Sequence, residues 1–442
     1  MDNKIPAQLK DATVPVRFNP ADYFTFVLDQ EIRNAGMPGG YCGFVLELDS
    51  APDLLLLQQR LDILSAHFPQ ATARMERRGN HYAWVATTRR LQLECEPCPP
   101  NGETASCYRQ RALEIINRPA PMDTAQPLGF HWLEQEKGGA LMLCWMHPLL
   151  DARGGQMLLN FLNSGNPDAL QDSPSLVLQK LSSWGLSKSI RLMFKAIRHN
   201  ARANSLDSSL PTTMEQGAQT LRLRVRRYSP EQSAAISRLA LRHTGLAGKS
   251  LYTIGCFMRA MELAGPPVPK AGYCIPYAFN LRKQNALTPL FGNHIGCLFA
   301  QATREQARNR NELFQHLLDQ YRQTVRQELD FAYLPLMWLG QYLSPGRYAR
   351  QLRKQHSGGE LSSCWFSDIG EVRFEKTALL GAAVKSMFHL SWVTLPPGLA
   401  LLSGQINGQI ILSYNYLHPA IDENRVERLM TLMDAELLGE SG

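Results

Sequence analysis

A chain of 442 residues, 44% hydrophobic and 19% charged, is typical of a folded globular protein and is longer than one hydrophobic core usually supports. The segment MDNKIPAQLKDATVPVRF lacks the apolar core of a signal peptide, and no stretch approaches the roughly 18 apolar residues of a membrane-spanning helix. A formal net charge of +7 favours phosphate-bearing or membrane-surface partners over nucleic acid, because no nucleic-acid recognition motif accompanies it.

The first 165 or so residues alternate predicted strands and helices, which indicates an α/β lobe around one sheet. The predicted elements are strands at 41–49, 81–87 and 90–96 (the last two as a pair), a helix at 51–68 capped by Ser50, a helix at 104–121, a hairpin at 128–147 and a helix at 155–165.

The nine cysteines are expected to be reduced and mostly buried, as is usual in the cytosol. Cys95 and Cys98 have the spacing of a zinc ligand pair, but no second pair follows at finger-like spacing. We therefore predict no metal site.

The segment WMHPLLDARGG, residues 145–155, joins the hairpin to the next helix and places His147 four positions before Asp151. A histidine has an ordinary pKa near neutrality, which suits a general base. Gly154 and Gly155 allow close approach of a ligand or another backbone, and the helix N-terminus that follows favours negative charge. The alternative is an ordinary strand-to-helix turn in which the aspartate caps the helix.

A basic amphipathic helix is predicted over 186–202, because no acidic residue occurs between Lys180 and Arg202. Its basic residues recur at spacings of three and four, with apolar residues opposite. The basic residues are Lys188, Arg191, Lys195, Arg198 and Arg202, and the apolar ones Leu186, Ile190, Met193 and Ile197. Such a helix suits an anionic membrane surface or an acidic partner; alternatively its apolar stripe packs on the protein body. We expect a cytoplasmic protein, with this helix as its contact to the inner membrane surface.

A second α/β half is predicted after the polar linker at 204–217. Its predicted elements are strands at 220–228, 271–280, 293–301, 362–370, 388–395, 399–406 and 409–416, and helices at 229–245 (opened by a Ser229 capping box), 250–265, 305–330 and 423–437. The predicted domains are an N-terminal lobe (1–175), the basic helix with its linker (176–217) and a C-terminal lobe (218–442).

A second His-Pro-x-x-Asp pattern, with His418 and Asp422, also lies between a predicted strand and a predicted helix. It indicates two topologically similar halves. It also shows that the pattern serves as a turn-and-cap device, because proline restricts the turn and aspartate caps a helix.

Three landmarks in order resemble the condensation-domain and chloramphenicol-acetyltransferase superfamily of CoA- or carrier-dependent acyltransferases, and they span most of the chain. The first is the HxxxD motif at 147–151. The second is a strand ending in N-x-R before a G-N pair, and the third is the late segment FSDIGEV. The second and third landmarks comprise Asn280, Arg282, Gly292, Asn293, Ser367, Asp368 and Gly370.

The resemblance implies an α/β fold of two chloramphenicol-acetyltransferase-like lobes, mixed sheets with flanking helices, in a pseudo-twofold V around a channel to His147. It implies that His147 is the general base and that Asp151 pairs with Arg282 in a structural role. The expected contacts to substrate or oxyanion are Gly154, Gly155, Ser367, Asp368, Gly370 and Asn293. No acyl-enzyme is required, so Cys144 is expected to be a packing residue.

The resemblance further implies an acyl thioester as co-substrate, on CoA or on the phosphopantetheine of an acyl carrier protein, with no bound cofactor. The acceptor is expected to be a small molecule or lipid with a hydroxyl, or secondarily an amine. Candidate phosphate contacts are Arg347, Arg350, Arg353 and Lys354, whose spacing equally suits a solvated helix face.

Two positions depart from the superfamily pattern HHxxxDG: Met146 replaces the first histidine and Ala152 replaces the glycine. The single-histidine form is closer to ester-forming members than to peptide-forming ones. The Asn-Asp pair expected of wax-ester synthases is absent, which argues against wax synthesis. The rival hypothesis is a non-catalytic module of this fold that binds a carrier protein or a lipid.

Overall fold

Two mixed six-stranded sheets and one three-stranded sheet organise the chain in the computed structural model. The structure describes residues 15–98, 104–121, 125–136, 138–167, 170, 175–203, 206–212, 217–245, 248–282, 289–355, 362–374 and 377–440, without the side chains of 104–106, 202–203 and 353–355. Among these residues, no helix has the length and apolar character needed to cross a bilayer.

The N-terminal elements alternate much as the sequence predicts. They are β1 (Val16–Arg17), α1 (Pro20–Asn34), β2 (Tyr41–Leu48), α2 (Leu54–His67), a 3-10 turn (Pro69–Thr72), β3 (Arg74–Arg78), β4 (His81–Val85), β5 (Leu93–Pro97), α3 (Thr104–Ile116), β6 (Leu128–Glu134), β7 (Gly139–Met146) and α4 (Ala152–Ser164).

Two local predictions in this part need correction, and one helix was missed. Helix α2 is capped by Asp53, whose carboxylate accepts a hydrogen bond from the Leu56 amide, and not by Ser50. Strands β4 and β5 do not pair with each other, because β4 lies between β1 and β3 while β5 runs parallel to β6. Helix α1, which the sequence analysis missed, begins with a capping box formed by Asn19 and Asp22.

The C-terminal elements follow α5 (Leu176–Ser182) and α6 (Leu186–Ala203). They are β8 (Thr220–Arg227), α7 (Pro230–Thr244), α8 (Gly248–Ala264), β9 (Gly272–Asn280), β10 (Ile295–Thr303), α9 (Arg304–Arg308), α10 (Arg310–Arg326), α11 (Leu329–Gly340), α12 (Pro345–Gln355), β11 (Trp365–Val372), β12 (Ala378–Leu379), β13 (Ala382–Ser391), β14 (Leu399–Ile406), β15 (Gln409–His418) and α13 (Glu423–Leu438). The predicted helix at 305–330 is interrupted because the Asn309 side chain caps a new helix at the Glu312 amide.

Strand β13 crosses from the C-terminal part of the sequence into the N-terminal sheet. The two large sheets have the orders β12-β13-β2-β7-β6-β5 and β10-β9-β11-β14-β15-β8. Ser391 on β13 lies opposite Cys42 on β2, in antiparallel register. The boundary predicted between the lobes is therefore wrong for 378–391, which covers the exposed edge that β2 would otherwise have.

Candidate active site between the two lobes

The turn that carries His147 follows β7, a strand in which all eight residues are buried. The His147 amide donates to the Gly40 carbonyl (3.0 Å), which fixes the residue at the end of the strand. Four residues later, Asp151 caps α4 by accepting a hydrogen bond from the Gly154 amide (2.9 Å). The strand and the cap thus define both ends of the His-Pro-x-x-Asp turn.

A cavity between the two sheets reaches His147. Its wall comes from α1, β2, β7, α4 and β13 on one side and from β9, β10, β11 and β14 on the other. Apolar side chains dominate the wall, with His147, Asn280 and Ser367 among its polar members. The His147 side chain is half-buried and its Nδ1 is fully buried, so Nε2 is the ring nitrogen available to a ligand.

Burial lowers the pKa of His147 below its ordinary value. The carbonyl of His147 itself, the Asp151 carboxylate and Asn293 act in the opposite direction but do not outweigh burial. The ring is consequently neutral near pH 7, which is the form that accepts a proton. Nδ1 makes no hydrogen bond to a described residue, and a neutral ring protonated there presents the Nε2 lone pair to the cavity.

Asp151 and Arg282 form an ion pair across the lobes, with Nη1 of the arginine 2.6 Å from Oδ2 of the aspartate. The His294 amide also donates to that oxygen (2.9 Å), and Nε and Nη2 of Arg282 both donate to the Pro289 carbonyl (3.2 Å each). Burial raises the pKa of Asp151, but Arg282 and the hydrogen bonds outweigh it and hold the pKa below its usual value. Arg282, the predicted partner of Asp151, therefore contacts it in the protein interior.

Asn293, predicted as a substrate or oxyanion contact, is fully buried and does not line the cavity. Its Nδ2 donates to the His147 carbonyl (2.9 Å), and its backbone amide donates to Oδ1 of Asp22 (2.6 Å). The prediction of a ligand contact is wrong, because the side-chain amide is used inside the protein. Asn293 instead holds the backbone carbonyl of His147 and so helps to fix the turn.

Asp22 on α1 is a residue that the sequence analysis missed. It joins the capping box of α1 to Asn293, and Asn19 donates from Nδ2 to the Asn293 carbonyl (3.3 Å). Burial raises the pKa of Asp22 to about 7, although hydrogen bonds from Asn293 and Asn19 lower it. The sequence signal was available, because N-P-x-D at 19–22 is a capping pattern.

His294 was also missed, although it follows Asn293 directly. Its Nδ1 accepts from the Leu176 amide (3.2 Å) and its Nε2 donates to the Phe291 carbonyl (2.9 Å). Burial lowers the pKa of His294 to about 4, and Arg282 adds to the effect. A neutral ring satisfied at both nitrogens is a structural element of the loop that holds Asp151.

Gly154 and Gly155 do not supply the predicted oxyanion contacts. The Gly154 amide donates to the Asp151 side chain and the Gly155 amide to the Asp151 carbonyl (3.0 Å). A Cβ at Gly154 would lie 2.6 Å from the Leu290 carbonyl oxygen, and one at Gly155 would lie 2.8 Å from the Phe44 ring. These glycines allow α4 to pack closely on its surroundings, and their amides are unavailable to a ligand.

The third landmark lies on β11, where Ser367 and Asp368 line the cavity. Asp368 accepts from the Ser250 hydroxyl (2.5 Å) and from the Gly370 amide (2.9 Å), at an irregularity in the pairing of β11 with β14. Both Asp368 oxygens accept hydrogen bonds inside the protein, and the Gly370 amide is occupied, so neither group is a donor available to an oxyanion. Asp368 and Gly370 therefore shape the strand, and Ser367 is the hydroxyl of this landmark that faces the cavity.

The predicted phosphate contacts lie on α12. Arg347 and Arg350 are exposed and do not line the cavity. The helix packs on α1 through Tyr348, whose ring stacks on that of Tyr23 with centroids 6.1 Å apart. The side chains of Arg353 and Lys354 lie outside the described part of the structure.

His389 on β13 is a second histidine of the cavity wall that sequence reasoning missed. It is fully buried, and neither ring nitrogen bonds to a described residue. Its ring meets that of Phe44 edge to face (5.2 Å), and burial lowers its pKa to about 3. No local signal marks it, since only the crossing of β13 brings it to this wall.

Cys144 faces away from the cavity, because its neighbour Trp145 on β7 lines the cavity and successive side chains on a strand alternate between the two sides of the sheet. Its Sγ lies 3.7 Å from Nε2 of His131, and burial raises the pKa of the thiol to about 12. Among the described residues, Glu94, Glu96 and His131 are close enough to hold a metal ion. Glu96, however, already pairs with Arg118 (2.9 Å) and with a second arginine, so its charge is compensated.

Comparisons of the fold with solved structures give long, low-identity matches. The first condensation domain of the calcium-dependent antibiotic synthetase matches with a TM-score of 0.72 and 12% identity over 97% of this chain and 98% of that chain. Trichothecene 15-O-acetyltransferase from Fusarium sporotrichioides gives 0.69 and 11% over 97% and 96%. Polyketide synthase associated protein 5 from Mycobacterium tuberculosis gives 0.63 and 13% over 98% and 99%. In sequence, no family model and no curated protein matches.

These matches confirm the predicted fold class. The chain has the two-lobed α/β fold shared by condensation domains and chloramphenicol-acetyltransferase-like acyltransferases, as the three sequence landmarks predict. At these identities the likeness concerns the fold alone.

Proposed function

We propose that this protein is an acyltransferase that moves an acyl group from a thioester to a hydroxyl acceptor, with His147 as the general base. The observation that carries the proposal is the position of His147 on the wall of a cavity that both lobes line. The available Nε2 and the lowered pKa suit proton abstraction near pH 7.

In the proposed reaction, Nε2 of His147 takes the proton of the acceptor hydroxyl as its oxygen attacks the thioester carbonyl carbon. The tetrahedral intermediate then collapses, the carbon–sulfur bond breaks and the proton passes to the leaving thiolate. The products are an ester and a free thiol. An amine acceptor would give an amide by the same steps.

The developing oxyanion requires a hydrogen-bond donor near the thioester carbonyl. We assign this role to the Ser367 hydroxyl, because it lines the cavity on the wall opposite His147. Asp151, Arg282 and Asn293 act through the turn that holds His147, so they are positioning residues.

The acyl group is proposed to lie among the apolar side chains of the cavity, which include Phe44, Trp145, Trp365 and Phe366. Its carrier would be CoA or the phosphopantetheine of a carrier protein. The exposed Arg347 and Arg350 are candidate contacts for the phosphates of either one. The acceptor would be a small molecule or a lipid with a hydroxyl group.

The test is thiol release from a panel of acyl-CoAs of increasing chain length, with and without pooled alcohols or amines. Acceptor-dependent thiol release by the wild type, lost in His147→Ala, is the expected result. Acceptor-dependent release that persists in His147→Ala would overturn the assignment of the base.

The rival hypothesis of a non-catalytic module predicts a different outcome. A carrier protein or an acyl-CoA would bind, as measured by calorimetry, but no acceptor would stimulate thiol release. Acyl carrier protein loaded with the same acyl groups must therefore be tested alongside CoA before turnover is judged absent.

A further inference from the structure

Helix α6 packs on the protein through a face that its apolar stripe does not occupy. Leu192 and Ala196 are completely buried against Leu329, Ala332 and Tyr333 of α11. Lys188 pairs with Glu328 at the start of α11 (3.1 Å), and Lys195 donates to the Gln327 carbonyl (2.8 Å). These contacts fix the orientation of the helix on the protein.

The other side of α6 presents an unpartnered apolar stripe to solvent. The exposed fractions are 78% for Leu186, 41% for Ile190, 61% for Phe194 and 47% for Ile197. Their spacings of four, four and three place them along one face of the helix, and Met193 beside them is half-buried. The expectation that this stripe packs on the protein body is therefore wrong.

Arginines border the stripe. Arg191 and Arg198 are exposed, lie seven residues apart and form no ion pair with any residue that the structure describes. The segment 186–203 contains no Asp or Glu. It also contains Arg202, whose side chain lies outside the described part of the structure. An apolar stripe bordered by exposed arginines is the pattern of a helix that lies in a membrane interface.

We infer that α6 docks this protein on an anionic lipid surface, with the Leu186–Ile190–Phe194–Ile197 stripe in the acyl-headgroup boundary and Arg191 and Arg198 against lipid phosphates. Charge selects this occupant over a second copy of the chain. Two copies would bring two cationic helices together, whereas anionic lipids neutralise them.

The docked helix would lie close to the cavity. Helix α6 contacts β10 directly, since the rings of His199 and Phe299 lie 6.2 Å apart, and α11 also packs against β10, where the Asp330 carbonyl oxygen would lie 2.7 Å from a Cβ at Gly296. Ile295, Gly296 and Cys297 of β10 belong to the cavity wall. The docking itself does not depend on acyl transfer.

The experiment is co-sedimentation of the full chain with phosphatidylcholine vesicles that contain or lack phosphatidylglycerol. We expect binding to the anionic vesicles only, weakened by added salt. The double variant Ile190→Ser/Phe194→Ser should weaken it by tenfold or more, since interfacial affinity scales with buried apolar area. Arg191→Gln/Arg198→Gln should weaken it about 25-fold, at about fivefold for each basic residue near the surface.

Matched controls lie on α7, which also exposes two arginines and a large apolar residue. Arg238→Gln/Arg242→Gln and Leu241→Ser should bind like the wild type, and all variants should show wild-type thermal unfolding. No binding to anionic vesicles, equal binding to neutral ones, or α6 variants that bind like the wild type would each overturn the inference. Self-association that the α6 variants abolish, without vesicle binding, would assign the stripe to a second copy and also overturn it.

Discussion

The two His-Pro-x-x-Asp turns share one local device. Asp151 caps α4 through the Gly154 amide, and Asp422 caps α13 through the amides of Asn424 and Arg425 (2.9 and 3.3 Å). Each turn therefore joins a buried strand to a helix capped by its aspartate, although the His418–Pro419 peptide bond is cis and the His147–Pro148 bond is not. Capping explains the spacing of both motifs, and so the spacing alone says nothing about chemistry.

The two turns differ in their contacts with the rest of the protein. The second oxygen of Asp151 meets buried Arg282 from the other lobe, whereas exposed Asp422 pairs with no cation among the described residues. His147 lines the cavity between the lobes, and His418 does not. Both halves contain this turn. Only the turn at 147–151 is a candidate site, because Arg282 of the other lobe pairs with its aspartate and its histidine lines the cavity.

The largest expected effect separates the two histidines. His147→Ala should lower the rate of acyl transfer by about a hundredfold or more, because the proton of the acceptor loses its general base. His418→Ala should leave the rate within about twofold, since His418 lies outside the cavity wall. The measurement is thiol release under saturating substrates, with unfolding curves to show that both variants fold. Equal losses of rate would remove the distinction between the turns.

The two aspartates should differ in their contribution to stability. Asp151→Asn leaves Arg282 buried without its partner, which costs about 3–5 kcal/mol in the free energy of unfolding. Asp422→Asn should cost less than about 0.5 kcal/mol, because asparagine caps a helix as well as aspartate does. Urea unfolding of the two variants measures both values.

A second substitution checks the cause. Adding Arg282→Met to Asp151→Asn should restore part of the lost stability, since the unpaired charge is removed. If Asp151→Asn unfolds like the wild type and only acyl transfer fails, the positioning role assigned to this carboxylate is wrong.

The residue four positions after each aspartate packs differently in the two turns: Gly155 leaves no room for a larger side chain, whereas Val426 fills its site. A Cβ at Gly155 would come within 2.8 Å of Phe44 and 3.0 Å of Trp145, so Gly155→Ala should destabilise by about 1–2 kcal/mol through overpacking. At the equivalent place in α13, Val426 is completely buried, and Val426→Ala should destabilise by a similar amount because it leaves a void. Denaturant unfolding of the two variants tests this; a neutral Gly155→Ala would show that α4 does not need its close approach.

The sequence predicted the strand, turn and helix around His147 because their signals are local. The pairing of Asp151 with Arg282, 131 residues apart, came from the resemblance and could not be obtained from spacing. The sequence could not predict which acceptor each N–H group would bond to, because that depends on which acceptors the fold brings near. Gly154 and Asn293 were assigned to a ligand for this reason, and both donate within the protein.

The other errors have the same origin. The periodicity of α6 revealed two different faces but not which one the neighbouring helix covers. Leu192 and Ala196, which lie outside the predicted stripe, are the residues that pack on α11. His389 enters the cavity wall through a strand that crosses between the lobes, and a crossing of this kind has no signature within a window of ten residues.

The smallest expected effect is on the pH dependence of the reaction. Burial lowers the pKa of His147, so its neutral form persists below pH 6.5 in the unliganded protein. A general base works in this form, and kcat/KM should therefore fall on the acid side only below pH 6.5. The measurement is kcat/KM for thiol release between pH 5 and 8, over the range in which unfolding controls show an intact protein. An acid limb centred above pH 6.5 would contradict the buried, neutral imidazole, because such a limb requires a ring whose charged form the site stabilises.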